Sequence, residues 1–267
     1  MIDAAIVKEA VARASASGSL APIITETTVV SDAGVDFVVR AASSLAAKAK
    51  APTAATRADP LGEYEPDLFV ADLPPAHYVL LNKYPVMAGH LLIVTRDFEP
   101  QERLLGRADL AALASMLARM DGLGFYNAGG AAGASQGRKH LQFVPLPLAP
   151  EMAMPVPLEP VIERSALPFR HAFSPLGAIE ALHDTYRKLL ERCAITAVGA
   201  DERQSAPYNL LLTRHWMLLV PRSRERYGSI SVNALGFAGS LFVREHAELE
   251  LVRRVGPMNI LRAVAVT

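Results

Sequence analysis

Arg138, His140 and Gln142 stand at alternate positions of the stretch GRKHLQFVP, directly behind a run with glycines at 129, 130, 133 and 137. If the segment after Gly137 is a strand, these three side chains point to one face while Lys139, Leu141 and Phe143 point to the other. A neutral imidazole held beside a phosphate-binding loop can attack phosphorus and form a phosphoramidate, splitting one displacement into two. The glycines let backbone N–H groups approach an anion closely. Neither the G-x-x-x-x-G-K-[ST] nor the G-x-G-x-x-G pattern is present, so the common nucleotide loops do not apply, and the run alone reads equally well as a turn. His77, His171, His183, His215 and His246 lack such a setting and are read as satisfied core or rim residues.

The elements that must position this strand follow from periodicity. Ile2, Ile6, Val7, Ala10 and Val11 recur at helical spacing and predict a first helix ending in the Ser/Gly cluster at 15–19. FVVR at 37–40 reads as a strand, and the Ala-rich segment after it as an extended surface stretch carrying Lys48 and Lys50. HYVLLN and HLLIVT flank KYPVMAG, whose Pro and Gly predict a reversal and hence an antiparallel pair. Asp109 is expected to cap a helix with Leu110, Leu113, Met116, Leu117 and Met120 on one stripe, ending at Gly122. Seven prolines among residues 145–168 predict a connector over the surface, outside the core. Ser174 and Pro175 signal the start of a helix bearing Leu176, Ile179, Leu182, Tyr186, Leu189 and Leu190. YNLLLT and WMLLVP read as strands, with Trp216 and Met217 in the core, and a last helix near 245–254 is expected to stop at Gly256-Pro257. SVNALGFAGS is expected to pack closely, against the glycine loop, with Asn233 its one residue of functional interest. Helices interspersed with hairpins predict an α+β fold with a mainly antiparallel sheet. The expected organisation is a single domain, 1–267, with segments 1–144, 145–173 (the connector) and 174–267.

With 267 residues, 51% of them hydrophobic, the chain can bury a substantial core. The 27 basic and 27 acidic residues balance, which argues against a nucleic acid or an anionic membrane as the main partner. Cys193 stands alone, so neither an intrachain disulfide nor a thiolate metal cluster is available, and the cytoplasm is the expected compartment. The N-terminus lacks the basic start of a signal peptide, and no apolar run approaches the roughly 20 residues that span a bilayer.

N-x(5)-GASQ-xx-KHLQ, with LLNKYPV and HLLIVT upstream and YNLLLTRHWMLLVPRSRE, SVNALGFAGSL and GPMN downstream, resembles the ATP adenylyltransferases, or diadenosine tetraphosphate phosphorylases. These belong to the histidine-triad superfamily, in the branch of galactose-1-phosphate uridylyltransferase, and the resemblance runs from about residue 37 to residue 260. It implies a histidine-triad-like fold and phosphorolysis of diadenosine tetraphosphate to ATP and ADP through an adenylylated histidine, with adenylyl sulfate as a further substrate. By motif position His140 is the nucleophile and Gln142 bonds the transferred phosphoryl group. Asn127, Gly133, Ala134, Ser135 and Gln136 match nucleotide and phosphate contacts, Asn82 and Lys83 a substrate-contacting pair, and Lys48 a phosphate-binding lysine, with Lys50 close by. Leu211, Leu212, Thr213, Leu218 and Arg222 fall where the family's C-terminal segment returns to the nucleotide.

Relatives typically carry histidine where this chain has Arg138, and proline where it has Gly137. Arg138 is expected to bind polyphosphate and to keep His140 neutral by like-charge repulsion. Histidine-triad hydrolases carry a third histidine at the position of Gln142, and an amide cannot serve as a base for water, which favours inorganic phosphate as acceptor. A sugar-phosphate nucleotidyltransferase, a nucleotide hydrolase and a non-catalytic adenine-nucleotide sensor stay open as alternatives. No covalent cofactor is expected; Mg²⁺ would arrive with the nucleotide. The expected partners are the dinucleotide, ATP, ADP and phosphate, in a monomer or homodimer.

Overall fold

The computed structural model of the chain describes residues 2–42, 59–177 and 181–267, so Lys48 and Lys50 lie outside the described residues. In chain order the strands are β1 (Thr25–Asp32), β2 (Val35–Ala42), β3 (Phe69–Leu73), β4 (His77–Leu81), β5 (Leu91–Thr95), β6 (Gly122–Ala128), β7 (His140–Pro145) and β8 (Ala172–Pro175). They continue with β9 (Ala197–Val198), β10 (Arg203–Gln204), β11 (Tyr208–Leu212), β12 (Trp216–Pro221), β13 (Arg226–Tyr227), β14 (Ile230–Ser231) and β15 (Ser240–Val243). Eight of these form one sheet in the order β3-β4-β5-β7-β6-β11-β12-β8, antiparallel at every step. A smaller sheet, β1-β2-β15, pairs β2 with β15 in parallel. The large sheet takes strands from both sides of the proline-rich connector, and the expected hairpin of β4 and β5 lies within it.

Among the described residues six α-helices flank the sheets: α1 (Ala4–Ala16), α2 (Arg107–Leu117), α3 (Glu159–Glu163), α4 (Leu182–Arg192), α5 (His246–Val255) and α6 (Pro257–Val264). The carboxylate of Asp3 caps α1 by accepting from the N–H groups of Ala5 and Ile6, and the helix buries Val7, Ala10 and Ala14. Asp109 is not the cap of α2. It sits in the first turn and reaches back to the N–H of Gly106 at 2.7 Å, the N3 arm of a capping box. That helix ends at Leu117, short of the expected Gly122, because Gly122 opens β6, where a Cβ would stand 2.2 Å from the Phe143 ring. Ser174 and Pro175 close β8 instead of opening a helix, and α4 begins at Leu182. The helix expected near 245–254 does stop at Gly256-Pro257, as α5, but it is not the last, because the pair is a corner. Gly256 has φ 87° and Pro257 starts α6, since a missing N–H costs nothing at the first helical position.

One face of the large sheet carries Val79, Leu81, Leu91, Ile93, Leu141 and Phe143 against α1, α2 and α4. The other carries Leu123, Phe125, Val144, Leu211 and Leu218 under the smaller sheet, α5 and α6. The connector departs from its expectation. Leu148, Val156, Leu158, Ile162, Leu167 and Phe169 are all buried in this second core, because proline keeps a segment out of the ladder without stopping its neighbours from packing. Trp216 and Met217 are core residues, as expected.

Register decides what shares the second face with β7. Val94 and Leu92 of β5 stand opposite His140 and Gln142, and Phe125 of β6 stands opposite Gln142 from the other side. Lys139 therefore points to the first face, where it is 1% exposed. Its ammonium pairs with Asp109 Oδ2 at 2.6 Å and Glu99 Oε2 at 3.2 Å, and it donates to the carbonyl of Leu104. His77, bonded to Asp109 at 2.8 Å, completes the cluster. Removing the cation leaves Asp109 charged in the interior without its strongest partner. Lys139→Ala is expected to destabilise the protein by about 3–5 kcal/mol, read from the urea midpoint, with part regained in Lys139→Met/Asp109→Asn. A loss under about 1 kcal/mol would show that this cluster does not pin β7.

Candidate active site

His140 and Gln142 open into a cavity of about 1100 Å³ between the two sheets. That is at or above the upper end of ordinary ligand pockets, roughly 300–1,000 Å³, and fits a ligand with two bulky ends. Asn82, Lys83, Tyr64 and Leu80 line one side, Ser135 and Gln136 the glycine loop, and Val232, Asn233, Gly236, Ser240 and Arg40 the far wall.

The His140 ring is held in one tautomer. Its Nδ1–H donates to the carbonyl of Arg138 at 2.8 Å, which leaves the lone pair on Nε2. Its main chain is fixed by Gln101, a buried residue that the sequence did not single out. Gln101 Oε1 accepts from the N–H of His140, and its amide donates to the carbonyls of Asn127 and His140, stitching β6 to β7. Burial holds the imidazole below its usual pKa, opposed by the bond to Arg138.

His90 is the second residue that sequence reasoning missed. Its Nε2–H donates to Gln142 Oε1 at 2.9 Å and its Nδ1 accepts from Asn82 Nδ2 at 3.1 Å. With its oxygen occupied, Gln142 has its NH₂ left to offer a ligand. Burial first, and the neighbouring His140 after it, push the His90 pKa down to about 4 against the bond from Gln142, so the relay is neutral at pH 7.

The glycine loop is braced from behind. Asn127 Oδ1 accepts from Asn209 Nδ2 at 2.8 Å and from the N–H of Ala234 at 2.9 Å. Gly133, at φ 90°, lies so close to Asn233 and Val232 that a Cβ would come within 2.9 Å of both, which is the expected contact between SVNALG and the loop. Gly133, Ser135 and Gln136 reach the cavity, whereas the N–H of Ala134 is spent on the carbonyl of Gly129. Lys83 lines the cavity mouth in an ion pair with Glu65.

Arg138 departs from its expected role. Its guanidinium pairs with Asp59 at 2.5 Å, which raises its own pKa, and donates to the carbonyls of Thr95 and Arg96; it stands outside the cavity lining. Burial, not repulsion from Arg138, depresses His140. The C-terminal assignments also shift. Leu211 and Leu218 share the cross-strand row of Gln142 but lie beyond Phe125 in the core, Leu212 faces the helices, and Thr213 Oγ1 accepts from the N–H groups of His215 and Trp216 in the hairpin. Arg222 is a brace: it donates to Asn209 Oδ1 and to the carbonyls of Val232, Arg224, Glu225 and Val264, and burial lowers its pKa to about 10. The C-terminal segment brings other residues to the cavity, among them Ser231, Val232, Asn233, Gly236, Ser240, Arg244 and Glu248. Among the described residues no three His, Cys, Asp or Glu side chains converge as a metal site, and no helix is long and apolar enough to cross a membrane.

The model of the Ap4A phosphorylase N-terminal domain matches residues 3–164, and that of the ATP adenylyltransferase C-terminal domain matches residues 165–267. Protein APA1 of Saccharomyces cerevisiae is 27% identical, over 85% of this chain and 82% of its own length. Diadenosine 5',5'''-P1,P4-tetraphosphate phosphorylase 2 of the same yeast is 28% identical over 64% of this chain and 63% of its own length. The crystal structure of yeast Ap4A phosphorylase Apa2 in complex with Ap4A superposes with TM-score 0.83 at 24% identity, over 100% of this chain and 99% of that one, a likeness of fold.

Two lowered histidine pKa values have a sign that can be measured. Below the ordinary value near 6.5 the unfolded chain binds protons that folded His90 and His140 do not, so stability falls as pH drops from 6.5 towards 4. His90 alone accounts for roughly 3 kcal/mol of that loss, and His90→Gln should flatten the slope of urea stability against pH. NMR titration should find His140 below 6.5 in both wild type and Arg138→Met; a return to 6.5 in the variant would reinstate repulsion as the cause.

Proposed function

Since the chain belongs to the family of Ap4A phosphorylases that carry an ATP adenylyltransferase C-terminal domain, we propose that it cleaves diadenosine tetraphosphate with inorganic phosphate, giving ATP and ADP. The observation that carries this reading is a buried, neutral His140 with Nε2 free, beside a Gln142 amide oriented by His90. In the first step Nε2 attacks the phosphorus of one adenylyl group, the bond from that phosphorus to the bridging oxygen breaks, and ATP leaves. The ring then carries a positive charge, and the carbonyl of Arg138 already accepts its Nδ1–H. In the second step an oxygen of inorganic phosphate attacks the same phosphorus, the N–P bond breaks, and ADP forms with His140 restored.

Gln142 donates to the oxygens of the transferred phosphoryl group, and the N–H groups and side chains of Ser135 and Gln136, with the NH₂ of Asn127, hold phosphate or ribose nearby. Lys83, and Lys48 from the segment before Asp59, would add positive charge along the polyphosphate, where much of the catalysis in such transfers resides. The leaving group is a weakly basic polyphosphate needing little protonation, so the reaction does not require a general acid beside His140. An amide cannot deprotonate water, whereas phosphate brings its own nucleophilic oxygen; this favours phosphorolysis over hydrolysis. Mg²⁺ would enter with the nucleotide, and the cytoplasm is the compartment this reading expects.

Incubation with diadenosine tetraphosphate should yield ATP and ADP only when phosphate is present; ATP with AMP would mean hydrolysis. Rapid quenching with substrate labelled at the adenylyl phosphorus should leave acid-labile, base-stable label on wild type and none on His140→Gly. Turnover without such label would mean direct displacement.

A further inference from the structure

Three buried or half-buried arginines surround the cavity region, and their partners differ. Arg138 has the carboxylate of Asp59. Among the described residues Arg222 forms no ion pair, but six acceptors saturate its fork and it stays behind the lining. Arg40, on β2, is 7% exposed and lines the cavity, yet among the described residues it donates only to Ser240 Oγ at 2.7 Å and to the carbonyl of Leu148. Both acceptors are neutral. No carboxylate of the described residues forms an ion pair with Arg40, and residues 43–58 contain no Asp or Glu at all. Burial lowers its pKa more than the charge of Glu151, which makes no ion pair with it, raises it.

A guanidinium has five N–H donors in a planar fork that matches phosphate oxygens, and a buried charge needs a counter-charge. Ser240 keeps one arm of that fork in place through the β2–β15 pairing, where Arg40 stands opposite Phe242. The cavity that Arg40 lines is the one into which His140 and Gln142 open, and those two residues stand on the other sheet. We propose that Arg40, aimed by Ser240, forms a phosphate subsite on the wall supplied by the smaller sheet, and that the missing counter-anion is a phosphate group of the reaction. That phosphate belongs either to the polyphosphate that leaves or to the inorganic phosphate that enters. The inference rests on the adenylyl-transfer reading for the identity of the anion, but the subsite can be tested without turnover.

The full chain is titrated calorimetrically with inorganic tripolyphosphate and with AMP, as wild type, Arg40→Gln, Arg40→Lys and Ser240→Ala. Tripolyphosphate affinity is expected to fall about tenfold or more in Arg40→Gln and by less in Arg40→Lys and Ser240→Ala, while AMP affinity stays within about twofold. Steady-state kinetics then separates the two sources. A raised KM for the dinucleotide with an unchanged KM for phosphate assigns the subsite to the leaving polyphosphate, and the reverse assigns it to the acceptor. Tripolyphosphate that fails to bind wild type, or binds every variant equally, overturns the subsite. A fall in melting temperature with unchanged affinities would show that Arg40 merely ties β2 to β15 and Leu148. If Arg40→Gln does not fold, Arg40→Lys and Ser240→Ala decide the matter. Failure to form ATP and ADP in wild type would count against the proposed reaction alone, because the tripolyphosphate titration does not depend on it.

Discussion

The hydrogen bond from His140 Nδ1 to the carbonyl of Arg138 imposes a condition that propagates through the molecule. It spans only two residues, so the main chain of 138–140 must be held almost rigid for the ring to keep its orientation. The residue between them, Lys139, is forced to the opposite face, into the interior. A buried ammonium requires carboxylates. Asp109 supplies one from the first turn of α2 and Glu99 another from the loop ahead of it, so the helix that packs the first face also fixes the strand that presents the second. Gln101 adds the second restraint by tying β6 and β7 at the level of the histidine.

Cations divide by what meets them. Lys139, Arg138 and Arg222 are spent on carboxylates and carbonyls that hold loops and strands in place. Lys83, in its ion pair with Glu65, lines the cavity together with Arg40 and Arg244. The imidazoles are kept neutral by their burial, which matters because a protonated His140 would have no lone pair to offer. Histidine two places before the nucleophile is therefore not required for the fold to present His140. The main-chain carbonyl accepts the ring N–H, and Arg138 with Asp59 anchors the same segment by another route.

What was legible in the sequence was local. The alternation of β7, the hairpin of β4 and β5 and the stripes of α1, α2 and α4 are patterns within a dozen residues, and they survive in the structure. β6 was not legible because both its faces are covered, so GLGFYNA has no alternation to read. The hydrophobic duty of the connector hid behind its prolines, and Pro257 reads as a stop when it is a start. The misplaced C-terminal contacts have one cause. Leu211 and Leu218 sit in the same row as Gln142, but the order of strands puts Phe125 between them and the site, and strand order is not written in either strand. His90 escaped notice for a similar reason, since its partner Gln142 is 52 residues away.

That distant pair bears on the choice of acceptor. A histidine at position 142 could donate or accept and could take a proton from water. Gln142 has neither freedom, because its oxygen is committed to the Nε2–H of His90, whose other nitrogen is committed to Asn82. Reversing the amide would set two N–H donors against each other in a buried site, leaving both without acceptors. The side chain is thus a donor with one orientation, able to steady negative charge on phosphorus-bound oxygen and unable to generate hydroxide. In the proposed reaction the adenylylated histidine consequently waits for an acceptor that arrives already anionic. A cavity wall bearing a buried guanidinium that forms no ion pair among the described residues is a place where such an anion, or the polyphosphate it replaces, would be held.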